Sequence, residues 1–94
     1  MKKIYKYPLP CEVIQMPAQA EIVHVQFQGH PGESGVLPTL WAWVPTELSN
    51  EDIRHTRQFQ IIPTGFVSVE DDTKHLATHV DPTGLVWHLV EQMR

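Results

Sequence analysis

Cysteine is nearly absent from this chain of 94 residues. Cys11 stands alone, so no disulfide can form within the chain, whereas secreted domains of this size usually carry several disulfides. The segment from Met1 to Pro10 lacks the apolar run of a signal peptide, and no stretch reaches the roughly 18 apolar residues of a membrane-spanning helix. These absences predict a soluble protein that works in the cytoplasm and enters no membrane.

Positive charge is also scarce. Seven Lys and Arg residues stand against eleven Asp and Glu residues, which gives a formal net charge of −4. A protein that binds duplex DNA without sequence preference needs a basic surface, so this class of function is not expected. Lys2, Lys3 and Lys6 form a basic cluster near the start of the chain, and we interpret it as the solvated edge of a strand rather than as a phosphate site.

Long helices have little room, because eight prolines divide the chain and proline disrupts a helix interior. The segments between the prolines suit short β-strands. We therefore predict a single β-rich domain over residues 1–94, with a mainly β fold that is a small antiparallel sandwich or open barrel of six to eight short strands. At most one short helix is expected, near residues 50–54, where Ser49 or Asn50 can cap a single turn.

For two predicted strands, the sequence pattern indicates which side chains share a face. Residues 20–28 alternate between apolar and polar side chains, which is typical of a strand with one wet face; its apolar side chains are Val23, Val25 and Phe27, and its polar ones include His24 and Gln26. Residues 39–44 are apolar on both faces, with Leu40, Ala42 and Val44 on one side and Trp41 and Trp43 on the other.

A hairpin is predicted over residues 74–91. Its two strand-like halves flank residues 81–84, Asp-Pro-Thr-Gly, which is a strong turn sequence. A further short strand is predicted over residues 66–69, followed by an acidic turn at residues 70–73.

Six histidines suggest a metal site that their spacing does not support. His75 and His79 have the H-x-x-x-H spacing that binds zinc on a helix, but in a strand the two rings lie about 13 Å apart, and bonds of about 2.1 Å cannot reach both. A site built from His79, Asp81 and His88 across the predicted turn stays open as an alternative. We expect no metal and no other cofactor.

Catalytic motifs are weak or missing. Ser34 lies in the sequence G-E-S-G, which lacks the spacing of a nucleophile elbow. Cys11 has no neighbouring base in the sequence and is interpreted as a small apolar side chain of the interior. The sequence names no catalytic residue, so it favours binding over chemistry and leaves enzyme activity an open question.

The tryptophans are the most informative residues. A strand that is apolar on both faces must be covered on both sides or must present one face to a partner. Trp41, Trp43 and Trp87 are therefore core residues of a sandwich, parts of a dimer interface, or an aromatic platform, since an indole ring can stack on any base. Arg57 could add a bidentate contact to an anion.

Short motifs follow one another along the whole chain: Lys6-Tyr7-Pro8-Leu9, then Met16-Pro17 with Ala20, Ile22 and Val25, then Leu40-Trp41-Ala42, Arg57 with Phe59, Thr64-Gly65, and Leu85-Val86-Trp87-His88-Leu89. In this order and spacing, the chain resembles a family of small proteins found mainly in tailed bacteriophages and prophages. It departs from the family pattern in an enlarged loop over residues 29–38 and in Pro63, where a glycine is expected.

The resemblance implies a setting rather than an activity: an accessory protein made in the cytoplasm of an infected bacterium. Small phage proteins of this kind often disable host immunity. We therefore expect a non-enzymatic counter-defence protein that binds a host defence protein or sequesters a nucleotide immune signal of the cyclic-nucleotide type. The alternatives are a small hydrolase of such a signal and a structural or assembly accessory protein of the phage.

A homo-oligomer is also expected, because self-association covers apolar strand faces and sheet edges. The side chains expected to contact the ligand or partner are aromatic, cationic, imidazole and Thr-Gly groups. They are Trp41, Trp43, Arg57, Thr64, Gly65, His79, Trp87 and His88.

Overall fold

The structure is a computed structural model, and it describes residues 1–9, 12–27, 38–65 and 68–93. These ranges contain seven strands and one helix of four residues. In chain order the elements are β1 (Lys2–Pro8), β2 (Val13–Gln15), β3 (Glu21–Gln26), β4 (Thr39–Pro45), α1 (Asn50–Ile53), β5 (Thr56–Pro63), β6 (Thr73–Val80) and β7 (Val86–Gln92).

The strands form two antiparallel sheets. Sheet A has three strands in the order β1-β4-β3, and sheet B has four strands in the order β2-β5-β7-β6. One cluster of buried side chains is shared by the two sheets, which pack face to face as a sandwich. The predicted mainly β, antiparallel fold with one short helix is confirmed for the described part of the chain.

Alternation along β4 builds the centre of the core. Leu40 and Ala42 are both 0% exposed, and they meet Phe59 of β5 and Leu89 of β7, which are 2% and 0% exposed. Full burial of a large apolar side chain stabilises a fold by about 1.5–3 kcal/mol. This burial fixes the orientation of β4, so the residues between its inward side chains must point away from the core.

A β-bulge in β3 changes which of its residues point inward. The pairing with β4 shifts between Ile22 and His24. Ile22 and Val25 pack against the core, whereas Val23 is 45% exposed. The prediction that Val23 shares the inward face of Val25 is wrong, because the extra residue of a bulge reverses the alternation at that point.

The helix α1 begins with a capping box. The Ser49 hydroxyl accepts a hydrogen bond from the Asp52 amide at 3.2 Å, and the Asp52 carboxylate accepts one from the Ser49 amide at 3.1 Å. Hydrogen bonds from Ser49, first from its hydroxyl and then from its amide, lower the pKa of Asp52. These bonds satisfy amides that a helix start leaves unpaired, and the predicted short helix is confirmed. Within the described ranges, no helix is long and apolar enough to cross a membrane.

The β6–β7 hairpin closes at the predicted turn. The Gly84 amide donates to the Asp81 carbonyl at 3.0 Å, and the Asp81 amide donates to the Leu85 carbonyl at 2.9 Å. Gly84 has a φ of 88°, a left-handed conformation that favours glycine. Of the short strand predicted over residues 66–69, the first two residues lie outside the described ranges, and the last two are not in a strand.

Candidate functional site

The outer surface of sheet A carries a pair of indole rings. Leu40, Ala42 and Val44 point into the core, so Trp41 and Trp43 lie on the opposite side of β4, where each is half-buried. The two tryptophans are therefore neighbours on one face of the sheet, separated along the strand by a single inward residue.

Strand pairing brings a lysine to each ring. Lys6 pairs with Trp41 and Ile4 pairs with Trp43 in the β1–β4 register, and Lys2 lies two residues further along β1. Lys6 Nζ lies 5.9 Å from the centroid of the Trp41 ring, and Lys2 Nζ lies 5.0 Å from that of Trp43. Both distances are within the range of a cation–π interaction.

The third strand, β3, adds polar groups on the other side of the tryptophans. His24 pairs with Trp41, with ring centroids 5.4 Å apart and planes tilted by 50°, and Glu21 pairs with Trp43. We call this outer surface of sheet A the aromatic face. Its members are Lys2, Ile4, Lys6, Glu21, Val23, His24, Trp41 and Trp43.

The aromatic face combines exposed apolar surface with positive charge. Ile4 is 49% exposed and Val23 is 45% exposed. Lys2 and Lys6 outnumber the single carboxylate of this face, Glu21, in a chain whose formal net charge is −4. Flat aromatic rings next to ammonium groups suit a ligand that has a flat ring and a negative charge.

A second group of polar side chains lies on the outer surface of sheet B. Thr64 Oγ1 is 2.6 Å from His88 Nε2, and His88 Nδ1 is 3.1 Å from His75 Nε2. Thr78 Oγ1 lies 3.0 Å from His75 Nε2 and 3.2 Å from His88 Nδ1. We call Thr64, His75, Thr78 and His88 the histidine cluster.

The family model described as a domain of unknown function (DUF7352) matches residues 1–94. The chain belongs to this family. The match includes every strand of both sheets, so the aromatic face and the histidine cluster both lie inside the family domain. No curated protein and no solved structure matches the chain.

In this member of the family, the eight residues singled out from the sequence lie in three places. Trp41 and Trp43 lie on the aromatic face. Thr64 and His88 meet in the histidine cluster, and Gly65 follows in the same turn. The remaining three lie on the inward side of sheet B: Arg57, His79 and Trp87. Strand pairing therefore separates groups that the sequence analysis combines into one site.

Arg57 binds acceptors of its own chain. Its Nε and Nη2 donate to the Glu91 carboxylate at 2.5 and 2.6 Å, and its Nη1 donates to the carbonyls of Pro17 and Ala20 at 3.0 and 2.9 Å. The side chains of Arg57 and Glu91 are only 10% and 4% exposed. The ion pair ties β5 to β7 and to the turn before β3, which is a structural role.

His79 and Trp87 are occupied by contacts near the β6–β7 turn. The His79 ring stacks on Phe27 with centroids 4.9 Å apart, and Trp87 Nε1 donates to the Asp81 carboxylate at 3.2 Å. The pKa of Asp81 lies below its usual value, chiefly because the Thr83 hydroxyl donates to its carboxylate and to a smaller extent because Trp87 does. These contacts brace the hairpin against sheet A.

The metal site considered across this turn does not form. His79 pairs with Trp87, whereas His88 pairs with Thr78. Because successive residues of a strand point to opposite faces, His79 and His88 lie on opposite sides of sheet B. The hypothesis of an ion held by His79, Asp81 and His88 is therefore wrong.

Sequence reasoning did not assign a role to several residues of these surfaces. The sequence indicates a solvated strand edge for Lys2 and Lys6, and it points to no ligand for His24 or His75. Alternation does place Lys2, Ile4 and Lys6 on one face of β1. What the sequence does not reveal is that β1 pairs with the tryptophan strand.

An open groove of about 500 Å³ lies on the outer side of sheet B. Its lining includes Glu12, Glu70 and Asp71 together with the amides of Gln58 and Gln60. The carboxylates give this part of the surface a charge opposite to that of the lysines on the aromatic face. An anionic ligand is therefore favoured on the aromatic face and disfavoured in the groove.

Proposed function

We propose that the protein is a non-enzymatic binding protein that sequesters a nucleotide-type ligand on its aromatic face. The observation that carries the proposal is the pair of indole rings, Trp41 and Trp43, with lysine ammonium groups 5.9 and 5.0 Å from their centroids. A nucleotide offers a flat base to an indole ring and a phosphate to an ammonium group, so one class of ligand satisfies both.

A base can replace the lysine on each ring. An exposed cation–π contact contributes about 0.5–1 kcal/mol, whereas the stacking of a base on an aromatic side chain contributes about 1–3 kcal/mol. The displaced ammonium group remains close enough to pair with the phosphate in a charge-assisted hydrogen bond. Binding therefore replaces each weak internal contact with two stronger contacts to the ligand.

The spacing of the two rings favours a ligand with two bases. Residues two apart on an antiparallel strand are separated by about 6.8 Å. This separation leaves room for one base on Trp41 and one on Trp43, with the phosphates along the row formed by Lys2 and Lys6 on β1. A dinucleotide, linear or cyclic, is the smallest ligand that uses the whole face.

The biological setting of the proposal comes from the resemblance to phage proteins. In that setting the ligand is a nucleotide immune signal of the infected bacterium, of the cyclic-nucleotide type, and the protein works in the host cytoplasm as a counter-defence factor. Sequestration lowers the free concentration of the signal, and it requires affinity and copy number rather than a catalytic group.

A homodimer fits the same face, with the ligand held between two copies. A two-fold axis parallel to β4 brings β1 of one copy over β3 of the other, because sheet A has the order β1-β4-β3. Lys2 and Lys6 of one copy then approach Glu21 of the other, which makes the surface self-complementary as an isologous interface requires. The exposed side chains of Ile4 and Val23 leave water in the same step.

Docking on a host defence protein is the second candidate. The apolar exposure of Ile4 and Val23, 49% and 45%, beside two tryptophans favours it, since tryptophan-centred patches with a polar rim are typical of protein interfaces. This candidate uses the aromatic face but needs no nucleotide.

Isothermal titration calorimetry with mononucleotides, linear dinucleotides and cyclic dinucleotides tests the proposal. We expect a dinucleotide to bind, and we expect Trp41→Leu or Trp43→Leu to weaken its affinity by about 5- to 150-fold, which corresponds to about 1–3 kcal/mol per stacked base. Trp87→Phe is the matched control on the inward side of sheet B and should bind like the wild type.

Failure of every nucleotide to bind, with folded protein, contradicts sequestration and leaves the host protein as the better candidate. The fate of the ligand separates binding from chemistry. A ligand that is recovered intact after heating of the complex supports sequestration, whereas recovery of cleaved nucleotide indicates the hydrolase that the sequence analysis leaves open.

A further inference from the structure

Three polar atoms of the histidine cluster form a nearly equilateral triangle. His75 Nε2 and His88 Nδ1 are 3.1 Å apart, and Thr78 Oγ1 lies 3.0 Å from the first and 3.2 Å from the second. Adjacent ligand atoms of a tetrahedral zinc ion with bonds of about 2.0–2.1 Å are separated by about 3.3 Å. The triangle thus has nearly the size of one face of a zinc coordination tetrahedron.

A β-bulge creates this arrangement. Thr78 pairs with His88 across the β6–β7 ladder, and Ala77 pairs with Leu89, but the register shifts between His75 and Ala77 so that His75 pairs with Val90. Without this shift, His75 would pair with Glu91 instead of Val90, and its side chain would point to the inward face of sheet B. The bulge turns the His75 ring outward, next to that of His88.

A hydrogen-bond chain orients His88 for metal binding. The Thr64 hydroxyl lies 3.2 Å from the Val86 carbonyl and 2.6 Å from His88 Nε2. With its proton donated to the carbonyl, which has no other way to bond to it, the hydroxyl oxygen accepts from His88 Nε2. This assigns the proton of the neutral imidazole to Nε2 and leaves the lone pair of Nδ1 directed at His75. Metal-binding histidines typically donate their second N–H in this way, which fixes the ring and its tautomer.

We propose that the histidine cluster is a transition-metal site that binds one zinc ion per chain. His75 Nε2 and His88 Nδ1 are the protein nitrogens, Thr78 Oγ1 lies at the third corner, and water completes the tetrahedron. Imidazole nitrogen is a preferred ligand of Zn²⁺. Before binding, His75 Nε2 carries the proton that faces His88 Nδ1. When zinc binds, His75 takes its other neutral tautomer, with the proton on Nδ1, so that the lone pair of Nε2 can coordinate the ion.

This site is independent of the nucleotide proposal. The histidine cluster lies on the outer surface of sheet B, whereas the aromatic face lies on the outer surface of sheet A. With only two histidine ligands, the ion is bound less tightly than in sites with three or four protein ligands, and it keeps at least one position open to an external oxygen ligand. None of the four side chains of the histidine cluster belongs to the buried core, so the proposed zinc is a ligand of this surface rather than a requirement for folding.

Zinc titration of the purified chain by calorimetry tests the site. We expect one Zn²⁺ per chain and at least a tenfold loss of affinity in His75→Asn and in His88→Asn. Thr64→Val, which removes the acceptor behind His88 together with the hydroxyl's bond to the Val86 carbonyl, should weaken binding about tenfold. His55→Asn, at an exposed histidine before β5, is the matched control and should bind like the wild type.

Imidazole nitrogen resonances of the wild-type protein provide a readout that needs no variant to fold. Zinc should shift Nε2 of His75 and Nδ1 of His88, in the same concentration range as the calorimetric transition, and leave His24 and His55 unchanged. We expect a dissociation constant in the micromolar range, and the absence of a calorimetric transition at up to about 1 mM Zn²⁺, about 1,000-fold above 1 µM, overturns the proposal. Shifts spread over all histidines, or an affinity unaffected by His75→Asn and His88→Asn in folded protein, also overturn it.

Discussion

Lys2 and Lys6 carry the positive charge of the aromatic face, and each is held over an indole ring only by a weak contact. If they pair with ligand phosphates, the affinity for a dinucleotide must depend on salt. We predict that Lys6→Gln lowers this affinity and reduces the slope of log K against log salt by about 0.7, the value for one phosphate contact to a single strand. Lys74→Gln, at an exposed lysine of β6, is the control, and an unchanged slope in Lys6→Gln would contradict the assignment.

The Arg57–Glu91 pair belongs to the interior and should affect stability. Removal of one partner of a buried ion pair leaves the other charge unpaired and typically costs about 3–5 kcal/mol. We predict a loss of this size in the free energy of unfolding for Arg57→Met, measured by urea denaturation. The control is Arg54→Met at an exposed position, which should change stability by less than about 0.5 kcal/mol; equal effects of the two substitutions would refute a structural role.

The residue type of Arg57 suggested an anion partner, and the structure supplies one in Glu91. A guanidinium fork suits a carboxylate of its own chain as well as a phosphate of a ligand. The sequence therefore indicates the chemistry of this side chain but not the origin of its partner. Glu91 could not be chosen in advance, because it comes within reach of Arg57 only through the pairing of β5 with β7, in which Glu91 lies opposite Phe59, two residues from Arg57.

At the level of single elements, the prolines and the alternation predicted most strands, the capped helix and the last hairpin. The two bulges were not predictable, because a bulge adds one residue to a strand without a distinctive residue type in this chain. Each bulge changes the side of the sheet to which a side chain points. Val23 of β3 and His75 of β6 both lie on outer surfaces as a result. Both changes affect the candidate sites, which is why alternation alone misplaced Val23 and gave no indication that His75 and His88 lie together.

The Asp81 carboxylate organises the turn of the β6–β7 hairpin. Its Oδ1 accepts from the amides of Thr83 and Leu85 at 2.9 and 3.1 Å and from the Thr83 hydroxyl at 2.6 Å. We predict that Asp81→Ala lowers the thermal midpoint more than Asp71→Ala, the control in the preceding acidic turn. Circular dichroism melting measures the difference, and equal midpoints for the two variants would contradict the role of Asp81.

Asp81 should also make stability depend on pH. Its pKa in the folded protein is lowered from the ordinary value of 3.8, first by the Thr83 hydroxyl. Its stabilising contribution is therefore complete above that value and is lost as the pH falls through the lower, folded-state pKa. Between pH 5 and strongly acidic solution, the thermal midpoint should fall less in Asp81→Asn than in the wild type, because asparagine does not titrate. An identical fall in both proteins would count against the prediction.

At the scale of the whole molecule, the sandwich has two outer surfaces of different character. One is the aromatic face, with Trp41 and Trp43 beside lysines; the other carries the histidine cluster and a groove lined by carboxylates. The sequence indicated the residue types that could bind a ligand but assigned them to one site. Their division between two surfaces follows from the strand order of the two sheets, which local patterns do not encode.

If the homodimer forms through the aromatic face, one charge added to that face should dissociate it into monomers. Light scattering at about 100 µM chain, far above the dissociation constant of a specific dimer, should give the dimer mass for the wild type. Trp43→Glu should give a folded monomer, whereas Val80→Glu, at a residue of sheet B that is 60% exposed, should remain a dimer. A monomeric wild type would contradict the intersubunit arrangement and leave a single-surface binding protein.

In the proposed phage setting, native mass spectrometry of the protein purified from infected cells tests sequestration most directly, because it reports the retained ligand and the oligomer together. We expect the wild type to carry a nucleotide-type molecule that is released intact on heating, and the folded double variant Trp41→Leu/Trp43→Leu to carry none. Wild-type protein without a bound small molecule, or equal retention by the double variant, would contradict the assignment of the aromatic face as the binding site.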